Sequence, residues 1–206
     1  QATARVIAPI LKPLINKQGH IASYEQTNSL IIVDYKGNLN RIKKVLSESI
    51  NSITDEDSLV GVLPFFHIYG MVLILNLAVY RGVTLVTMPR FDLEQFLQIV
   101  QDYKITCLNL VPPLVLALAN HPLVDKYDVS SIRLISSGAA PLGAELEDAC
   151  AKRVDCGVYQ GYGLTETSPV VSCNPIHKIR VETVGPPFKG NQVKIAEDCE
   201  ILVKGE

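Results

Sequence analysis

The spacing of hydrophobic and polar positions changes character near residue 57. Before it, Val6, Ile7, Ile10, Leu11, Leu14 and Ile15 recur at helical intervals, with Pro9 and Pro13 breaking or bending the helix they predict. "GHIASYEQ" and "NSLIIVDY" are short β-prone runs separated by "TN", and they predict a hairpin. Leu39, Ile42, Val45, Leu46 and Ile50 then fall on one helical face, with Asn38 as its cap. The polar, acidic "NSITDEDS" follows, and the junction between two pieces is expected at residues 51–57.

From Leu59 onward, continuous apolar runs alternate with helical ones. "LVGVLPFF", "VTLVTM", "ITCLNLV", "IRLISSG" and "CGVYQGYG" read as buried strands. Between them lie helices over "YGMVLILNLAVYRG", ended by Gly82, and "DLEQFLQIVQDYK", capped by Asp92. Two more cover "PPLVLALANH", with proline in its first turn, and "LGAELEDACAKR". This rhythm predicts an α/β fold with a parallel sheet covered on both faces. The tail "NQVKIAEDCEILVKG" predicts a short antiparallel ribbon. The expected fold class is therefore α/β: a small αββα segment over residues 1–50, then an incomplete parallel-sheet core with its ribbon over 58–206.

Composition narrows the function classes. A net charge of −2 over 206 residues supplies no field for nucleic acid. Residues 1–50 hold seven Lys/Arg against three Asp/Glu, while the remainder is acidic, which fits two pieces of different origin. Five cysteines, with no C-x-x-C pair, point to reduced thiols rather than a disulfide framework. The start of the chain carries charges through its apolar part, unlike a signal peptide. Met71–Tyr80, the longest strongly apolar run, is too short to span a bilayer, so no membrane insertion is expected.

In a parallel sheet, ligands bind beyond the carboxyl ends of the strands. Three turns fall there: "PFFHIYG" with His67, "SSGAAPLG", and "QGYGLTET". Each has a plain alternative. His67 also reads as a helix cap or a satisfied core residue, "SSGAAPLG" as an ordinary strand-to-helix turn, and "GYGLTET" as a loose turn with solvated Thr and Glu.

Taken together and in order, "VLPFFHIYGM", "LNLVPPLVLAL", "LISSGAAPLG", "YQGYGLTETSPV" and "VGPPFKGNQVKI" resemble the adenylate-forming superfamily. The likeness is to its branch of 4-coumarate–CoA ligases and medium- or long-chain acyl-CoA ligases, over residues 57–205. That resemblance implies coupling of a carboxylic acid to the α-phosphate of ATP, then transfer of the acyl group to coenzyme A. It implies ATP or AMP, Mg²⁺ and coenzyme A as cofactors. Ser137, Gly138, Ala139, Ala140 and Pro141 would form one side of the nucleotide site, with bare backbone lying along the adenine. Gln160, Gly161, Tyr162 and Gly163 would form the other, Tyr162 stacking on the ring. Thr165 would donate to the α-phosphate, Glu166 would hold Mg²⁺, and His67 would border the acyl pocket and position the carboxylate.

The same resemblance implies parts not found in these 206 residues. Gly19 and Gly37 lack the hydroxyl-rich, multi-glycine surroundings of a phosphate loop. The family's ribose-binding aspartate and mobile domain with its catalytic lysine would follow "ILVKGE". Losing such contacts, each worth on the order of 3–4 kcal/mol, is expected to leave turnover negligible. Meanwhile "ARVIAPILKPLINKQGHIASYEQTNSLIIVDYKGNLNRIKKVL" resembles a periplasmic N-domain of outer-membrane secretins, ring-forming channels of type II secretion and type IV pilus systems. This implies self-association and no catalysis. The two resemblances imply different compartments, cytoplasmic and periplasmic, and a chimera of two truncated pieces with few contacts between them. An incomplete ligase core with a residual groove, a self-associating module, and an inert α/β chain are the three readings that follow.

Overall fold

The computed structural model describes residues 20–24, 29–33 and 53–205. The chain divides into two compact units, Gln1–Lys44 and Val45–Glu206. In the first unit, β1 (His20–Tyr24) and β2 (Ser29–Val33) pair antiparallel, from His20 against Val33 to Tyr24 against Ser29. That is the expected hairpin. The helices expected on either side of it, including the Asn38 cap, lie outside the described residues.

In the second unit, a six-stranded sheet runs in the order β4-β3-β5-β6-β7-β8. Its strands are β3 (Ser58–Gly61), β4 (Thr84–Thr87), β5 (Cys107–Leu110), β6 (Leu134–Ser137), β7 (Gly157–Gly163) and β8 (Val170–Cys173). The first five are parallel, and β8 runs antiparallel to β7 with a register shift at Tyr162/Gly163. The expectation of a parallel sheet therefore holds for its body and not for this edge. "SPVVSC" turns back after a 3₁₀ turn at Thr165–Thr167, too soon for the crossover that a parallel strand requires. Central strands β3, β5 and β6 are buried throughout, whereas β4 at the other edge begins and ends on exposed threonines.

Parallel neighbouring strands need crossover connections, and the helices supply them. The chain leaves β3 through α1 (residues 68–81) to β4, then crosses β3 to reach β5 through α2 (Leu93–Tyr103). It continues through α3 (Pro112–Asn120) and α4 (Ala144–Val154). Because the direction of travel reverses at β3, α1 covers one face and α2, α3 and α4 the other. Alternation along the strands sends Val60, Leu108, Leu110, Ile135 and Val158 into the core beneath the latter three helices. A short 3₁₀ segment, Pro122–Lys126, follows α3.

Local chemistry explains the helix ends. Asp92 accepts from the Gln95 amide at 2.8 Å and starts α2. Gly82, with φ of +71°, closes α1 in the left-handed conformation. Within α1, Met71–Asn76 widens to a π-helix, which periodicity did not foretell. Beyond the sheet, β9 (Gln192–Ile195) and β10 (Ile201–Lys204) make the expected antiparallel ribbon. All five cysteines are free thiols.

Candidate functional site

The strand order reverses between β3 and β5, and a doubly wound sheet opens a crevice at such a point. A cavity of about 280 Å³ lies there. His67 and Tyr69 reach it from the start of α1, Leu73 and Leu77 from further along that helix, and Asn109 from β5. The turns after β6 and β7 complete it.

Nine of the twelve residues expected at the site line this one cavity: His67, Ser137, Gly138, Ala139, Gly161, Tyr162, Gly163, Thr165 and Glu166. Ala140 and Pro141 are exposed on the turn after β6, outside the lining. Gln160 is buried, and alternation turns its side chain to the other face of β7, where it bonds to Leu142 and Glu147.

Each turn has a local cause. The Tyr69 amide donates to His67 Nδ1 at 3.2 Å, so His67 does cap α1. That bond occupies the Nδ1 lone pair and leaves Nε2 to carry the proton of the neutral ring. The ring therefore both starts the helix and borders the cavity. After β6, Ala139 takes a φ of +70°, a conformation costly for a residue with a Cβ. At Gly163, a Cβ would stand 2.1 Å from the Pro169 carbonyl, so only glycine admits the bulge that swings Tyr162 onto the cavity wall. The Thr167 hydroxyl secures the next turn, donating to the Pro169 carbonyl at 2.7 Å and accepting from the Leu164 amide at 3.0 Å. Thr165 and Glu166 ride on that turn, exposed, with neither side chain hydrogen-bonded among the described residues.

The cavity floor is uncharged. The Tyr69 hydroxyl lies 3.2 Å from both the Leu110 and the Ser136 carbonyls. Burial drives the phenols of Tyr69 and Tyr159 well above their ordinary pKa and pushes the Cys173 thiol up to about 12. With Ile53, Ile68, Leu73, Leu77 and Val170, these groups make a surface suited to an apolar, neutral tail. Among the described residues, Glu166 is the sole carboxylate of the lining, and no Lys or Arg contributes to it.

The residues fit a nucleotide. Gly138 presents bare backbone, and a Cβ there would come within 3.3 Å of the Tyr69 ring. A free hydroxyl and a free carboxylate on successive residues match a phosphate oxygen and a hard cation. No three His, Cys, Asp or Glu side chains converge among the described residues. A Mg²⁺ at Glu166 would therefore draw its remaining ligands from phosphate and water.

Sequence reasoning passed over Asn109, Tyr69 and Tyr159. One signal was present for Asn109: a lone amide inside the apolar strand "ITCLNLV" needs a reason to be buried.

Comparison with known proteins agrees with this fold. The model of the AMP-binding enzyme family matches residues 33–206, and that of the bacterial type II/III secretion system short domain matches residues 1–48. The 4-coumarate–CoA ligase 1 of Petroselinum crispum is 50% identical over 148 residues, covering 69% of this chain and 27% of that protein. A probable 4-coumarate–CoA ligase 1 of Dictyostelium discoideum is 38% identical over 162 residues, covering 72% and 29%. The chain thus spans between a quarter and a third of these relatives' length. Among solved structures, the anthranilate CoA ligase AuaEII in complex with anthranoyl-AMP superposes with a TM-score of 0.74 at 19% identity, covering 86% of this chain and 36% of that one. The O-succinylbenzoate coenzyme A synthetase MenE of Bacillus subtilis, in complex with ATP and magnesium ion, gives 0.69 at 26% identity, covering 82% and 37%. By sequence match and fold, the chain belongs to the AMP-binding enzyme family.

Proposed function

We propose that residues 58–206 form the nucleobase and acyl side of a carboxylate-adenylating site, of the kind an acid–thiol ligase uses to make an acyl-AMP before thioester formation. The observation that carries this reading is the convergence of three separate strand-end turns on one cavity, with Thr165 and Glu166 free at its mouth. In this reading the nucleobase lies between the Gly138–Ala139 backbone and Tyr162, and the Thr165 hydroxyl meets the α-phosphate. Glu166 shares a Mg²⁺ with phosphate, and the acid's apolar tail enters between α1 and the sheet.

Among the described residues, the lining offers no Lys or Arg to the β- and γ-phosphates. Preorganised charge is usually the largest catalytic contribution, so slow turnover is expected of a site built from the described residues alone. The two pieces, 1–50 and 58–206, meet near residues 51–57 in this reading. Titration calorimetry with AMP and ATP, each with and without Mg²⁺, tests the site. The expected result is AMP binding at least as tight as ATP binding, with no pyrophosphate exchange into ATP. ATP binding far tighter than AMP, or measurable exchange, overturns the reading of a groove that lacks a polyphosphate grip.

A second reading rests on the secretion-domain match and on the antiparallel pair β1–β2, whose outer edges carry no partner strand among the described residues. Residues 1–50 then drive self-association. Sedimentation of the whole chain across a concentration series tests this, and a strict monomer removes it.

A further inference from the structure

Gln160 stands inside the motif that carries the nucleotide site, yet its amide is fully spent elsewhere. Its Nε2 donates to the Leu142 carbonyl at 3.0 Å and to Glu147 Oε2 at 2.7 Å. Its Oε1 accepts from the Leu142 amide at 2.9 Å. An amide side chain has two N–H donors and one carbonyl, so little capacity is left for a ligand. All three residues are buried, with Gln160, Glu147 and Leu142 at 5%, 3% and 3% exposure. Leu142 ends the turn that begins at Gly138 and contains the strained Ala139. Glu147 sits in the first turn of α4, where the helix dipole favours a carboxylate. The three bonds therefore join the turn after β6, the start of α4 and strand β7 at one point.

Resting on the nucleotide reading above, we propose that Gln160 and Glu147 are positioning residues. They clamp the 138–143 turn against β7, and so set nucleotide affinity without touching the nucleotide. The turn has its own reason to move, since Ala139 is held at positive φ and Ala140 and Pro141 are exposed. Released from Leu142, its backbone relaxes away from the plane in which a base stacks against Tyr162.

The test uses the whole 206-residue chain and four proteins: wild type, Gln160→Leu, Glu147→Leu and Glu147→Gln. Amide hydrogen exchange is followed across residues 138–143, with residues 93–103 of α2 as reference, and AMP affinity is measured by calorimetry. In Gln160→Leu and Glu147→Leu, exchange across the turn rises about tenfold and AMP affinity falls about tenfold, as loss of a buried hydrogen bond predicts. Glu147→Gln keeps an acceptor for Gln160 and stays within about twofold of wild type on both measures. The reference helix is unchanged in all four. Should Gln160→Leu fail to fold, the contrast between Glu147→Leu and Glu147→Gln carries the same test. Unchanged exchange in the leucine variants overturns the proposal, as does equal damage from Glu147→Gln and Glu147→Leu, or a loosened turn with unaltered AMP affinity. A wild type that binds no AMP, while its turn still loosens in the leucine variants, overturns the nucleotide reading and leaves the clamp standing.

Discussion

The Asn109 side-chain amide donates to the Leu73 carbonyl at 3.2 Å, joining strand β5 to the π-helical stretch of α1. A π-helical turn widens the helix and alters its carbonyl pairing, and an acceptor there needs a donor from elsewhere. Asn109 supplies one, and Leu73 and Leu77 both face the cavity across the widened turn. Replacing Asn109 by Leu removes the donor and is expected to cost about 1–3 kcal/mol. Asn109→Asp keeps the shape but turns a donor into a buried charge facing a carbonyl, and is expected to cost more. Urea unfolding of the two variants checks the order. If Asn109→Leu is as stable as wild type, the bond to Leu73 contributes nothing.

Asp57 makes the opposite end of the sheet sensitive to acid. Burial alone would raise its pKa. The Arg133 guanidinium, the Thr106 hydroxyl at 2.6 Å and the Thr54 amide at 2.8 Å outweigh that and hold it at about 2. A carboxyl depressed in the folded state contributes stability above its unfolded pKa, and loses it as pH falls through the folded value. Stability should therefore drop between about pH 4 and pH 2, by on the order of 2 kcal/mol from this group. Asp57→Asn should flatten that part of the profile. Arg133→Leu strands a buried carboxylate and should cost about 3 kcal/mol at neutral pH. Denaturant midpoints measured from pH 2 to pH 7 give all three numbers.

Two glycines of β7 should respond differently to the same added methyl group. A Cβ on Gly161 would meet the Ser172 carbonyl at 3.3 Å, a contact that a slight shift relieves. A Cβ on Gly163 would stand 2.1 Å from the Pro169 carbonyl, so the bulge must open. Since Tyr162 and Thr165 hang from that bulge, Gly163→Ala should lower AMP affinity at least tenfold and stability by about 1–3 kcal/mol. Gly161→Ala should lower either by far less. Calorimetry and thermal unfolding on the pair decide it, and equal effects would mean that the bulge does not set the site.

How legible these features were in the sequence depends on how local their causes are. The Asp92 cap, the Gly82 stop and the proline start of α3 each follow from a residue's own chemistry, and each was expected where it stands. The turns at His67, Gly138 and Tyr162 were legible because glycine, hydroxyl and aromatic residues cluster at strand ends. What stayed hidden was tertiary. The π-helical turn is bonded through Leu73 to Asn109, 36 residues away in sequence. The reversal of β8 depends on a tight turn after Gly163, and "PVVSC" reads as any short apolar run. Gln160 looked like a ligand contact because of its neighbours, while strand alternation turns it the other way. Two buried partners then occupy it, one of them an acidic residue that helical periodicity alone would leave on the surface.

The thiols offer a check on the core that needs no ligand. Cys107 and Cys150 are buried, and burial pushes both up to about 11; it pushes Cys156 and Cys173 up to about 12. The thiolate is the reactive form, so at pH 8 these four present almost none. Cys199, in the turn between β9 and β10, is exposed. Iodoacetamide should add one group to the folded chain, at Cys199, and five in denaturant, as read by intact mass and peptide mapping. Cys173 makes this informative about the site, because it lines the cavity. Its slow labelling would follow from the raised thiol pKa rather than from distance to the opening. Fast labelling of Cys173 in the folded chain would mean that water and reagent reach the cavity floor, and the apolar, neutral tail assigned to the acid would lose its support.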